Sequence, residues 1–301
     1  MHLKIDRGTA VFVVLLSGLL FGTTGTATLI FDIEASSTSF AAARLIVGAA
    51  GLVAVSIYQR GLAELITLWK RPRVQIMGVS VAFYMLAFFA AVSLAGAAVA
   101  SLVSISLAPL MAGAIARAFG KPWPGRTWVI ATALAALGVV LLGMPESTTG
   151  GSQRILGAIL AALAGSAYAF FTVVGAKLVD DEHHATDGLA ASFSIGAVLL
   201  IPFLVMDSDW LFTGKGIALA LWLGLVSTTL SYIMFGIGIT YLAPGVVATL
   251  LLSEPAVATL LGVFVVGEPM SIRGWMGCVL ILIGLIMISR NEQKKSRVIP
   301  V

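Results

Sequence analysis

The sequence predicts an all-α integral membrane protein, with ten transmembrane helices in two inverted five-helix repeats around a central cavity. Three observations carry that reading. Apolar residues (AVILMFWYC) fill 59% of the 301 positions and charged residues (DEKR) 11%, against roughly 25% charged in soluble domains, so water is not the main solvent of this chain. Apolar runs of roughly 20 residues, the length that crosses ~30 Å of hydrocarbon as a helix, recur from end to end. A pattern of Pro, Gly, Arg and Trp late in the first half also returns late in the second.

The spans follow in order. Thr9 to Phe31 comes after Lys4 and Arg7; it is too long for a signal-peptide core and has no small-residue cleavage site, so it reads as a retained first helix. The others are Ser39 to Tyr58, Val74 to Leu94, Ala97 to Phe119, Thr127 to Met144, Ile155 to Val179, Leu189 to Met206, Ile217 to Tyr241, Pro244 to Val266 and Ile272 to Ser289. Basic residues then set the orientation, because positive loops stay cytoplasmic. With the amino terminus inside, the inner face collects Lys4, Arg7, Arg60, Lys70, Arg71, Arg73, Arg117, Lys121, Arg126, Lys177, Arg290, Lys294, Lys295 and Arg297. The outer face keeps Arg154, Lys215 and Arg273. This alternation requires an even number of spans and places both termini in the cytoplasm, in a cell inner (plasma) membrane. Trp69, Trp123 and Trp128 near the inner boundary, and Trp210, Trp222 and Trp275 near the outer one, are expected in interfacial belts.

The halves, residues 1–148 and 149–301, meet in the polar stretch Glu146 to Arg154. Ala108-Pro109, Gly120-Lys121-Pro122, Arg126 and Trp128 have counterparts in Glu254-Pro255, Gly267-Glu268-Pro269, Arg273 and Trp275 at nearly the same spacing. Five spans are an odd number, so the second copy enters the bilayer from the opposite side. Inverted repeats of this kind place a binding site between the copies near midplane, and alternating access follows from the symmetry.

These residues resemble the drug/metabolite transporter superfamily in its ten-span EamA branch. Leu252-Ser253-Glu254-Pro255, Leu260-Leu261-Gly262-Val263 and Gly267-Glu268-Pro269 resemble that family's penultimate helix and the turn after it, and Gly277 to Gly284 resembles its last helix. The first half departs from the pattern: Lys121 replaces the acidic turn residue and Ala108 stands where the second half has Glu254. Within the branch the chain is similar to YddG-type amino-acid exporters. The resemblance implies a central cavity lined by the first, third, fourth, sixth, eighth and ninth helices, with the fifth and tenth peripheral. It also implies secondary transport of small organic metabolites, most of all export of amino acids, aromatic and hydrophobic ones included.

Glu254 stands at the middle of its span, where an ionised side chain costs on the order of 3 kcal/mol even on mild insertion scales. Its helical neighbours Leu250, Leu251, Val257 and Ala258 are apolar, and no other span supplies Lys or Arg at matching depth. It is expected to face a cavity, hydrated or protonated, where it couples protons to transport or holds a substrate amine; a carboxyl hydrogen-bonded within the bundle is the structural alternative. Pro109 and Pro255 each remove an amide donor, from the carbonyls of Ile105 and Leu251, and mark a hinge or a static kink. Tyr84, Tyr168 and Tyr232 lie at the centres of their spans, where their rings would stack on a planar solute or their hydroxyls would bond between helices. Thr23, Thr24, Thr26, Ser104 and Ser106 are further polar candidates, although such hydroxyls also bond their own helix.

Small residues recur every fourth position at Gly96, Ala100, Ser104, Ala108, Ala112 and Ala116, and at Gly157, Ala161, Gly165 and Ala169, a pattern for close helix packing. Arg44 lies near the outer end of its span and is expected to snorkel to headgroups; the competing role is an outer gate closed with Asp32 or Glu34. Asp180, Asp181, Glu182, His183, His184 and Asp187 form a solvated turn rather than a metal site, and the tail from Arg290 to Arg297 meets anionic lipid.

Several functions are disfavoured. Basic residues confined to short loops form no nucleic-acid stripe. The lone cysteine, Cys278, excludes an intrachain disulfide and a cysteine metal cage. An intramembrane enzyme on a lipid-linked substrate, the alternative from another class, needs paired acid and base groups at one depth, whereas His2, His183 and His184 all fall outside the spans. The expected partners are therefore a small-molecule substrate such as an amino acid, protons and membrane lipids. No metal or cofactor is called for, and the protein is expected to be a monomer and no enzyme.

Overall fold

The computed structural model describes residues 5–143, 152–180, 183–267 and 269–298. Lys4, Asp181, Glu182, Glu268 and the junction between the halves at 148/149 lie outside them. Among the described residues there is no strand, and ten helices are long and apolar enough to cross a membrane. They are Arg7–Phe31, Ser37–Arg60, Pro72–Ala95, Val99–Ala118, Arg126–Gly143, Ile155–Val179, Ala185–Val205, Gly214–Tyr241, Pro244–Val266 and Ile272–Lys295, referred to below as the first to tenth spans. Helices are the expected solution, since hydrocarbon offers backbone N–H and C=O groups no partner other than each other.

The spans pack in a two-fold pattern. The third lies on the sixth and the first on the eighth; the fourth on the sixth and the first on the ninth; the third on the seventh and the second on the eighth. The second also packs on the seventh, the fourth on the ninth and the fifth on the tenth. Exchanging spans one to five for six to ten returns each of these contacts to itself or to its partner. Small residues allow the close approaches. A Cβ on Gly165 would lie 2.4 Å from the Ser104 carbonyl oxygen. One on Gly138 would lie 2.5 Å from the Gly277 oxygen, and one on Gly277 2.6 Å from the Gly138 oxygen. Gly120 and Gly267, matched in the two halves, close the fourth and ninth spans with φ of 83° and 85°, a region open to Gly at no steric cost.

Large apolar side chains such as Phe12, Phe83, Leu163 and Ile201 are exposed on the outside of the bundle, the side that faces lipid. The two termini share one end: Arg7 Nη1 lies 3.0 Å from Glu292 Oε2 of the tenth helix, and Lys295 also bonds that carboxylate. The tail is thus helical to Val298, and part of its charge is neutralised within the protein.

Two expectations are corrected, and one helix appears outside the spans. Trp128 and Trp210 are not belt residues. Trp128 is fully buried against Gly113 and Gly245 and donates to Thr249 Oγ1 at 3.0 Å. Trp210 packs edge-on to Phe40 and donates to Ser39 Oγ at 2.8 Å. The connection between the second and third spans contains an amphipathic helix, Leu62–Trp69, seated by Leu65 and Leu68. Asp187 is no solvated turn residue. It is buried at the start of the seventh span, where it accepts from Ser56 Oγ and Arg60 Nη1, each at 2.7 Å. At the opposite end Asp207 accepts from the Ser36 amide at 2.6 Å, and hydrogen bonds from Ser36 hold its carboxyl below the usual carboxylate range.

Asp187→Ala strands the buried Ser56 hydroxyl and removes the acceptor of Arg60. Removing one partner of a fully buried pair costs roughly 3–5 kcal/mol. Because the Arg60 side chain is 27% exposed and can reach water, about 2 kcal/mol is expected here. Thermal unfolding in detergent would read this as a lower midpoint, with Asp187→Asn, which keeps an acceptor oxygen, losing less.

Candidate functional site

A cavity of about 460 Å³ lies between the halves. Its wall runs from Glu254, Tyr232 and Phe21 at depth to Thr28, Ser37 and Ser101 at the end of the bundle opposite the termini. Beneath it, toward the termini, Tyr232 sits in a cluster of rings. Its centroid lies 5.0 Å from Phe21, 4.4 Å from Phe193, 6.2 Å from Phe171 and 5.5 Å from Phe235, and all five rings are buried. The cavity is therefore a basket open at one end and stopped at mid-depth by aromatic packing.

The ninth span is broken where Glu254 is presented. Helix Pro244–Leu250 ends, Leu251 and Leu252 form a turn, and a second helix runs over Ser253–Leu261. Pro255 has no amide to offer the Leu251 carbonyl, which instead accepts from the Glu254 amide at 3.0 Å. The chain then continues as a π-helical turn, Gly262–Val266. Such a break is tolerated at membrane depth only against protein or a water-lined cavity. The Glu254 carboxylate lines the cavity and, among the described residues, has neither a hydrogen bond nor an ion pair.

Tyr84 and Tyr168 stand together, ring centroids 5.5 Å apart, on the wall made by the third and sixth spans, with Phe88 6.3 Å from Tyr84. None of the three predicted tyrosine hydroxyls bonds another protein group among the described residues, so the alternative of interhelical bonding is not what the structure shows. Ser104 lines the cavity but is buried and bonds its own helix at Ala100 O, 2.6 Å. Thr24 lines it too, with its hydroxyl 3.3 Å from Ser227 Oγ.

Other predicted residues are placed differently. Thr23 turns away from the cavity, donating to Leu20 O at 2.7 Å and accepting from Trp222 Nε1 at 3.2 Å; one step of 100° along a helix separates it from Thr24. Ser106 is half-buried, its hydroxyl oxygen is buried with no partner among the described residues, and it is not on the wall. At Pro109 the helix Ala97–Ala118 runs on unbroken, so the two matched prolines are not equivalent in structure. Arg44 does not snorkel, and among the described residues it forms no ion pair with Asp32 or Glu34. It turns inward onto the eighth span, donating through Nε to Thr228 Oγ1 at 2.9 Å and through Nη2 to Ser227 O at 3.3 Å, with its guanidinium carbon 5.6 Å from the centre of the Phe21 ring.

This brings the second span into the lining through Ser37, Phe40, Ala41 and Arg44, against the expectation that it stays outside. The fifth, seventh and tenth contribute nothing to it. Phe40, Phe88, Phe89, Thr28 and Ser101 are lining residues that the sequence did not single out. Phe88 carried a signal, since it lies one turn beyond Tyr84.

A profile of the EamA-like transporter family matches the chain twice, over residues 8–144 and 155–290. The chain belongs to the EamA-like transporter family. Each match spans five of the membrane helices, so both halves of the EamA-like architecture are accounted for. YwfM of Bacillus subtilis, described as an uncharacterized transporter, is 33% identical over 283 residues, covering 94% of each chain. YicL of Salmonella typhimurium, described as an uncharacterized inner membrane transporter, is 25% identical over 178 residues, 58% of each chain. A protein of known crystal structure superposes with a TM-score of 0.78 over 96% of this chain and 100% of its own at 18% identity, a likeness of fold alone.

Pro255→Ala restores an amide able to reach the Leu251 carbonyl, a bond worth about 1 kcal/mol. A higher unfolding midpoint together with solute flux lowered severalfold is expected. The ninth span then straightens and carries Glu254 off the wall.

Proposed function

We propose that the protein is a secondary transporter that exports amino acids, aromatic and hydrophobic ones included, across the inner membrane by alternating access. The observation that carries this reading is Glu254: a carboxylate at mid-membrane depth, with neither a hydrogen bond nor an ion pair among the described residues, on the wall of a cavity faced by Tyr84, Tyr168 and Phe88. Leaving such a group uncompensated has a large cost in hydrocarbon, and a solute amine or a proton is the compensation that a carrier supplies. The aromatic wall offers a planar or apolar side chain the contact area that rings provide.

In this reading residues 1–148 and 149–301 are inverted repeats, and the cavity alternates between two faces as one half rocks against the other. The two-fold packing and the double family match support that arrangement. The end bearing both termini, with Arg60, Lys70, Arg71, Arg117, Lys121 and Arg126, is the cytoplasmic one. The aromatic cluster around Tyr232 then closes the cytoplasmic route while the cavity faces outward, and its parting admits solute from inside. Glu254 carries the coupling proton or the substrate amine in turn, and the carrier works as a monomer.

Proteoliposomes loaded with labelled L-phenylalanine test this directly. Efflux is expected to respond to an imposed pH gradient, and Glu254→Gln is expected to lower it at least tenfold and to flatten its pH dependence. An unchanged pH profile in Glu254→Gln removes the proton role, and turnover of lipid in place of amino-acid flux would favour an intramembrane enzyme.

A further inference from the structure

We propose that Arg44 is a built anion subsite of the cavity that Glu254 also lines, so that the site selects solutes carrying a carboxylate and an amine together. This rests on the transport reading above and assigns the side chain that holds the carboxylate of the amino acid.

The subsite begins with how the eighth span is wound. Trp222–Leu230 is π-helical, a form that is rare and concentrated at functional positions. Its hydroxyls reach back along the chain: Thr228 Oγ1 donates to Leu223 O, five residues earlier, at 2.7 Å, where Ser227 Oγ also donates at 3.0 Å. The Thr228 oxygen is left as an acceptor and the Ser227 carbonyl is open on the side facing the second span. Gly48 lets that span come close. A Cβ there would lie 2.4 Å from Thr228 Cγ2, and the Gly48 carbonyl accepts from Thr229 Oγ1 at 3.0 Å. Arg44, one turn away, is thereby locked by two hydrogen bonds in one orientation.

A guanidinium has five N–H donors. Two are used on Thr228 and Ser227, which leaves three with no acceptor among the described residues, on a side chain that lines the cavity. Phe21 beside it adds an apolar, π-rich flank. A planar fork fixed from behind, with free donors in front, is the arrangement that binds a carboxylate in a bidentate manner. An arginine needed only for packing or for neutralising a wall carboxylate would be paired, yet Arg44 and Glu254 line one cavity without forming an ion pair. A cation and an anion that line one cavity without pairing match a solute with both charges and penalise one with either alone. In the latter case a membrane-depth charge is left without its partner.

The test is competition against labelled L-phenylalanine in proteoliposomes by phenethylamine, which lacks the carboxylate, and 3-phenylpropionate, which lacks the amine. With wild-type protein each is expected to compete at least tenfold more weakly than unlabelled phenylalanine. Arg44→Gln is expected to weaken phenylalanine at least tenfold and leave phenethylamine unchanged, and Arg44→Lys, which keeps the charge but not the fork, to fall between. Glu254→Gln should show the mirror pattern, sparing 3-phenylpropionate. If Arg44→Gln keeps the wild-type ratio of phenylalanine to phenethylamine, the anion subsite is wrong while amino-acid transport stands. If wild-type vesicles carry no amino acid, both readings fall.

Discussion

Hydrocarbon gives a charged or polar group nothing to bind, so whatever cannot be satisfied inside this bundle must be supplied with water or with solute. Glu254 is where that constraint is sharpest. Pro255 leaves the Leu251 carbonyl without its helical amide, and the turn at Leu251 and Leu252 beside it is tolerable because a cavity adjoins it. The irregular winding of the eighth span obeys the same rule, with hydroxyls of Ser227, Thr228 and Thr229 bonding back along the chain and to the second span. The Leu251–Leu252 turn and the winding of the eighth span both border the cavity, while the fifth and tenth spans, which do not line it, are regular and joined glycine to glycine.

The ends of the bundle are built differently from its middle. At the end bearing the termini, Asp187 with Arg60 and Ser56, and Arg7 with Glu292, tie spans from different halves through charge. At mid-depth the closure is five aromatic rings. In proteins interiors are close-packed and switch between discrete arrangements rather than deforming continuously. A ring cluster and a few ion pairs are therefore units that can be made and broken as a whole, as the proposed rocking of the halves requires. The small-residue seams between the fourth and sixth and the fifth and tenth spans keep their contacts through backbone proximity.

Much of this was legible in the residues. Run length located every span to within a few positions, and the distribution of Lys and Arg put the two termini on one side, which the Arg7–Glu292 contact shows independently. The position of Glu254 in the cavity followed from the cost of a lone midplane carboxylate. What escaped were features decided by rotation and winding, to which spacing is blind. Thr23 and Thr24 differ by one residue but by 100° around the helix. Arg44 has a stem long enough to reach headgroups or to reach Thr228, and the π turn with its neighbour Gly48 chose between them. Trp128 and Trp210 sit at belt depth, yet glycines and hydroxyls on adjacent spans drew them inward. The Leu62–Trp69 helix is too short for its period to stand out.

The account turns on Glu254 standing in water that enters from the end opposite the termini. Cysteine accessibility measures this: Glu254→Cys in a Cys278→Ala background, treated with a membrane-impermeant thiol reagent applied to one face at a time. Modification from the face opposite the termini, slowed by a transported solute, is the predicted result. A thiol at position 254 that reacts from neither face, although the protein is folded and inserted, would contradict it.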